Sequence, residues 1–203
     1  LLMAIYLGSG PLADAFFVAF RIPNTFRRLF SEGTFNAAFV PSYSSELANG
    51  KRNSQKFANK IFNILLLSLL TVVLIIEIFM PGFVFIIAPG FNENTDKLEL
   101  TIFLTRITFP FLFFVSLSSF FSAILNSHNK FAAASAAPII LNILLIIVLL
   151  YGNYLNDEIV FYLSYAVTFA GILQFIFLFL FVKKYYYPKL SLSFKINNKV
   201  KIF

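Results

Sequence analysis

An all-α, polytopic transmembrane helix bundle is the fold this sequence predicts, and three observations predict it. Of 203 residues, 59% are apolar and only 12% are charged, where a soluble domain carries about 25% charged residues. Apolar runs near the spanning length of about 20 residues recur at 61–80, 100–125, 131–150 and 159–182. The polar connectors between those runs alternate between basic and acidic. The mean hydropathy of +0.83 agrees. The chain holds no cysteine and a single histidine, His128, so thiolate chemistry is excluded and no metal site is expected.

In chain order, residues 1–7 read as the tail of a helix whose first half is missing, and the chain is expected to be a fragment. Gly8-Ser9-Gly10-Pro11 is a turn signal. A charged helix follows over 12–32, with Gly33 as its stop. The stretch 34–50, with Pro41 inside it, reads as a short, partly interfacial helix. Residues 51–60 read as a basic, polar connector. The span from 61 is interrupted at Pro81-Gly82, and a short apolar piece carries it to 88. The acidic connector 91–99 leads to the span 100–125, which contains Arg106 and Pro110. After the turn 126–130, the span 131–150 opens with small residues that permit close packing in lipid. The last span, 159–182, ends in a lysine and tyrosine cluster suited to the headgroup region. Residues 1–187 are thus read as one transmembrane bundle, and 188–203 as a basic amphipathic stretch leading into something not present.

The charge alternation orients the bundle. Lys51, Arg52, Lys56, Lys60, Lys130, Lys183, Lys184, Lys189, Lys195, Lys199 and Lys201 all lie on alternate connectors. The intervening ones hold Glu93, Asp96, Glu99, Asp157 and Glu158, with Lys97 the lone cation. Cytoplasmic loops are enriched in Lys and Arg, so the basic connectors are inside and the charged helix runs inward. The net charge of +7 thus follows topology, and no nucleic-acid partner is expected.

The charged helix is the candidate functional site. A charged side chain at mid-bilayer costs roughly 2.5–3.5 kcal/mol, yet this helix carries Asp14, Arg21, Arg27, Arg28 and Glu32. On a helical wheel Asp14, Arg21, Arg28 and Glu32 fall close to one line, with Asn24 and Thr25 on the same side, in a sector of about 100°. Arg27 sits outside that sector, and Pro23 allows a kink that moves either half of the stripe. Guanidinium groups facing a wet cavity suit an anionic substrate, because their planar fork pairs phosphate or carboxylate bidentately. Asp14 and Glu32 then hold the arginines or bind a coupling cation. The alternative is that Arg27 and Arg28 are simply the inner positive flank of a span.

Other polar residues have plainer readings. Arg106 reads as snorkelling toward headgroups, Glu77 as an outer-interface residue or a proton site, and His128 as solvated in its turn. Asn126, Asn142 and Gln174 read as interhelical hydrogen-bond partners. No catalytic residue is expected, since no histidine lies where it serves as a base within a span.

The stretch ADAFFVAFRIPNTFRRLFSEGTFNAAFVPSYSSEL, residues 13–47, closely resembles the second-helix signature of the MurJ (MviN) lipid II flippases. Ala88-Pro89-Gly90-Phe91, Ile107 to Phe111 and Ala123 to Ile143 are similar to further motifs of that family, in the same order. The resemblance implies the first six-helix lobe, its first helix truncated, of a two-lobe exporter of the multidrug/oligosaccharidyl-lipid/polysaccharide superfamily. It implies a transporter, not an enzyme, in the bacterial inner membrane. Its substrate would be lipid II, the undecaprenyl-diphosphate-linked peptidoglycan precursor, moved from inner to outer leaflet by alternating access. Family positions important for activity fall on Asp14, Asn24, Arg27, Arg28 and Glu32, which promotes Arg27 beyond its place on the wheel. No cofactor is implied, and drive by sodium, protons or membrane potential stays open. Membrane lipids and other cell-wall synthesis proteins are the remaining partners. The family's first-helix arginine motif and second lobe have no counterpart here. Export of another polyprenyl-linked glycan and a non-transport membrane scaffold are the competing readings.

Overall fold

The structure, a computed structural model, describes residues 2–32, 34–91, 94–155 and 158–190. Every regular element among them is helical: α1 Leu2–Tyr6, α2 Pro11–Glu32, α3 Thr34–Ala48, α4 Lys51–Ile78, α5 Met80–Ile87, α6 Thr95–Thr108, α7 Phe111–Ser127, α8 Phe131–Ala136, α9 Ile139–Leu150, α10 Gly152–Leu155 and α11 Ile159–Val182, with a 3-10 turn at Pro89–Phe91. Among the described residues four helical segments are long and apolar enough to cross a membrane: α4, α6 with α7, α8 with α9, and α11. Helix α2 is not among them, because its charges dilute an otherwise sufficient length.

Proline sets the breaks. Pro110 has no amide hydrogen for the carbonyl four residues earlier, so the helical hydrogen bonding lapses between α6 and α7 although Phe109 and Pro110 keep helical backbone angles. Pro138 does the same between α8 and α9. Helix α2, by contrast, runs through Pro23 without interruption. One expectation fails here: residues 51–60 are not a connector but the first three turns of α4. Ser54, Phe57, Ala58 and Ile61 are buried, a helical spacing that packs this polar segment onto α3.

The continuous α6–α7 rod is central: 72% of its most apolar stretch is buried, against 17% for α4. Lipid tails are as apolar as leucine, so close packing rather than water exclusion must hold the helices together. Small residues supply it. Ala15 and Ala19 of α2 meet Leu104, Phe111 and Val115 of the central rod, with Ala166 and Ala170 of α11 in the same cluster. Gly171 lets α11 approach α7 so closely that an added Cβ would lie 2.8 Å from the Phe111 ring and 3.4 Å from its Cα.

The two ends of the bundle differ. At the basic end Phe39, Tyr43, Phe62, Phe120, Phe121 and Tyr186 form an aromatic core. There the Tyr43 hydroxyl lies 3.2 Å from His128 Nε2, and Tyr185 stacks on the imidazole at 4.5 Å. His128 is therefore half-buried rather than simply solvated, and burial, then the charge of Lys51, lowers its pKa. Asn59 Oδ1 accepts from the Tyr186 hydroxyl at 2.8 Å and from the Lys189 amide at 3.0 Å. These bonds fold residues 186–190 back onto α4, so the start of the expected connector lies against the lobe. The amphipathic stretch expected beyond it falls outside the described residues.

Candidate functional site

Helix α2 sorts its side chains by face. Ala13, Ala15, Phe16, Ala19 and Ile22 are buried against the bundle. Asp14, Phe17, Arg21, Thr25 and Arg28 are exposed, recurring at helical spacing on the opposite side. From Asp14 to Arg28 this stripe is about 21 Å long. Of the sector read from the wheel, Asp14, Arg21, Thr25 and Arg28 thus lie on the uncovered face of the helix, with Asn24 half-buried. Glu32 ends α2, but its side chain lies outside the described residues, as does Gly33.

Arg27 is half-buried at the edge of the stripe. Its Nε donates to Asn24 Oδ1 at 3.0 Å. Arg27 lies off the line read from the wheel, and that bond ties it to Asn24, which lies within the sector. Thr25 donates to the Arg21 carbonyl at 2.8 Å.

Asp14 does not join the arginines. It pairs with Lys97 at 2.6 Å, at the acidic end of the bundle, seven residues and about 10 Å along the axis from Arg21. Lys97 also lies over the Phe91 ring at 4.0 Å, and Asn94 caps α6 by accepting from the Lys97 amide. The expectation that Asp14 steadies the guanidinium groups is replaced by a link between α2 and the 91–97 connector.

Sequence reasoning missed a further member, Thr108. Pro23 leaves the Ala19 carbonyl without its usual amide donor. The buried Thr108 hydroxyl of α6 donates to that carbonyl at 2.9 Å. A polar group orphaned inside the bundle is thereby satisfied by the neighbouring helix, and the two helices are pinned where the stripe passes the proline. The proline inside a helix was the available signal, since it implies an external donor without saying which.

The remaining polar candidates separate. Gln174 is buried with its Nε2 unpartnered among the described residues, and Asn142 is exposed, so neither bridges helices as expected. Among the described residues no cluster of three metal-ligating side chains occurs.

A family model described as "Lipid II flippase MurJ" matches residues 3–203. The chain belongs to the MurJ lipid II flippase family. It is 43% identical over 183 residues to a probable lipid II flippase MurJ of Rickettsia prowazekii (strain Madrid E), covering 90% of this chain and 36% of that protein. To the corresponding protein of Rhizobium tropici it is 45% identical over 178 residues, covering 85% and 33%. A solved structure, "Lipid II flippase MurJ, inward closed conformation", superposes with a TM-score of 0.78 at 28% identity, covering 96% of this chain and 40% of that one. The chain therefore spans about a third of the length of these MurJ relatives. Its fold is the MurJ fold over that length, and it is a multi-pass membrane protein.

Proposed function

We propose that this chain supplies the first lobe of a lipid II flippase, a transporter rather than an enzyme, in the bacterial inner membrane. In this reading the exposed stripe of α2 faces a wet cavity between two lobes. Arg21, Arg27 and Arg28 meet the diphosphate of the undecaprenyl-linked peptidoglycan precursor as it crosses from inner to outer leaflet by alternating access. The single observation that carries the reading is the uncovered polar face of α2, on a helix whose other face is packed into a membrane bundle.

The physics is consistent. A lipid-linked diphosphate brings about two negative charges into the bilayer, and desolvating them requires cationic partners that do not themselves face lipid. The prenyl chain stays in lipid while the headgroup crosses. Asn24 holds Arg27 beside the stripe. The link from Asp14 to Lys97 lies where the cavity would open outward, and breaking it belongs to the opening step.

The test is complementation of flippase loss by the complete protein. Arg27→Ala and Arg28→Ala are each expected to abolish growth while membrane abundance stays at the unsubstituted level. Normal growth with both single variants would remove the diphosphate-binding role. Single cysteines at positions 21, 24 and 28 should react with aqueous thiol reagents. Protection of all three would favour the scaffold reading, in which the arginines are anchors.

A further inference from the structure

Helix α4 runs antiparallel to the central rod, and an aromatic contact fixes their register. The Phe62 ring centroid lies 5.6 Å from that of Phe120 and 6.1 Å from that of Phe121. Fifteen residues along α4 from Phe62 stands Glu77, and fifteen back along the rod from Phe121 stands Arg106. Both therefore lie about 22 Å from the same aromatic contact, toward the acidic end. The two charges are level. Arg106 is also about 16 Å inward of the start of α6, well inside a hydrocarbon core of about 30 Å.

One apolar cluster frames both residues. Val73 and Met80 flank Glu77 at i−4 and i+3, and Ile102 and Phe109 flank Arg106 at the same spacing; all four belong to that cluster. Residues so spaced share a helix face, so the two charges lie along the seam where α4 and α5 meet α6. The prolines match as well. Pro81 and Pro110 each stand four residues on, and each withholds the amide that the Glu77 or Arg106 carbonyl would accept from. The interruption between α4 and α5 and the lapse between α6 and α7 thus fall beside the same pair of charges.

Among the described residues neither charge has a contact partner. Glu77 Oε1 is buried and accepts no hydrogen bond, and Arg106 is near enough to act on that carboxylate electrostatically. A carboxylate or a guanidinium alone at this depth is strongly disfavoured. A guanidinium turned onto the orphaned oxygen satisfies both, and the Arg106 side chain is exposed and so unhindered in its rotamers.

We propose that Glu77 is the intramembrane counter-ion of Arg106, and that the pair is a positioning element fixing α6 against α4. Two residues on, and about 200° around α6, the Thr108 hydroxyl holds the Ala19 carbonyl of α2. Helix α6 is thereby gripped from two sides at one level, by α4 through the charges and by α2 through the hydroxyl. A shift of α6 passes to the helix that carries the arginine stripe, so the pair acts on flipping through α2. That last step rests on the proposed function; the pair itself does not.

The test is a charge cycle in the complete protein: Glu77→Gln, Arg106→Gln, both together, and the exchange Glu77→Arg with Arg106→Glu. Each single change strands one charge in the membrane. Each is expected to lower the midpoint of thermal unfolding in detergent by about 4 °C and to slow flipping in proteoliposomes about fivefold. The double neutral variant and the exchange should regain the parent midpoint to within about 1 °C, and the exchange should regain the parent rate. Single variants as stable as the parent, or losses that add in the double variant, overturn the pair. Parent flipping rates in both single variants, with the unfolding losses present, overturn its positioning role. Unfolding reads the pair whatever the protein transports, and flipping by the parent tests the proposed function, so the two failures are distinguishable.

Discussion

At the scale of single residues, Asn24 and Arg27 form the pair most open to test. Hydrogen bonds to charged groups contribute more than neutral ones, but Arg27 is only half-buried, which reduces the effect to about 1 kcal/mol. Asn24→Ala is therefore expected to slow flipping in proteoliposomes about fivefold, while Asn24→Asp, which keeps an acceptor for Arg27, preserves the rate. In an Arg27→Lys background, which keeps a cation but not the Nε donor to Asn24, the Asn24→Ala change should add nothing. A further fivefold loss there would mean that Asn24 acts on the substrate directly and not by positioning Arg27. The Asp14 and Lys97 pair teaches a different lesson. Lys97 looked like the lone exception in an acidic connector, and it is there because Asp14 of α2 comes beside it. An exception to a charge pattern was a sign of a tertiary partner.

At the scale of elements, two contacts set how α2 and α11 sit on the central rod. Thr108→Val keeps the shape of the side chain but removes the donor to the Ala19 carbonyl. Leaving a buried acceptor unsatisfied costs about 1–3 kcal/mol, which lowers the midpoint of thermal unfolding in detergent by about 2–4 °C per kcal/mol. Pro23→Ala restores an amide to that carbonyl, so Thr108→Val should cost much less in its presence. Equal losses with and without Pro23 would show that the hydroxyl is not compensating for the proline. The second contact is Gly171 against Phe111. Gly171→Val forces the two helices apart or the ring out of its rotamer, a strain of typically about 1–3 kcal/mol. Thermal unfolding as stable as the parent's would refute the close packing.

At the scale of the whole molecule, the basic end is held by a polar and aromatic cluster that joins α3, the turn after α7 and the exit from α11. His128 is its titratable centre and the only histidine in the chain. Its pKa is lowered by burial and then by Lys51, so the folded protein favours the neutral ring. The unfolded chain binds the proton near pH 6.5, and below that pH it holds more protons than the folded state. The stabilisation is full above about pH 6.5 and is lost as the pH falls toward the lowered folded value. Unfolding temperature should thus fall between pH 7.5 and 5, and His128→Gln should flatten that dependence. An unchanged pH profile in the variant would assign the loss to carboxylates instead.

The sequence alone determined the helical class, the four apolar stretches long enough to cross a membrane, and the polar face of α2. Each depends on a local quantity: hydropathy summed along the chain, or the angle between neighbours on one helix. It misjudged residues 51–60 because their polarity outweighed the helical spacing of Ser54, Phe57, Ala58 and Ile61. Only the tertiary structure decided where Asp14 finds its cation, which hydroxyl satisfies Ala19, what surrounds His128 and which carboxylate lies level with Arg106. Those facts join residues as far as 89 positions apart, and such contacts are set by helix packing, which leaves no periodic trace in the chain.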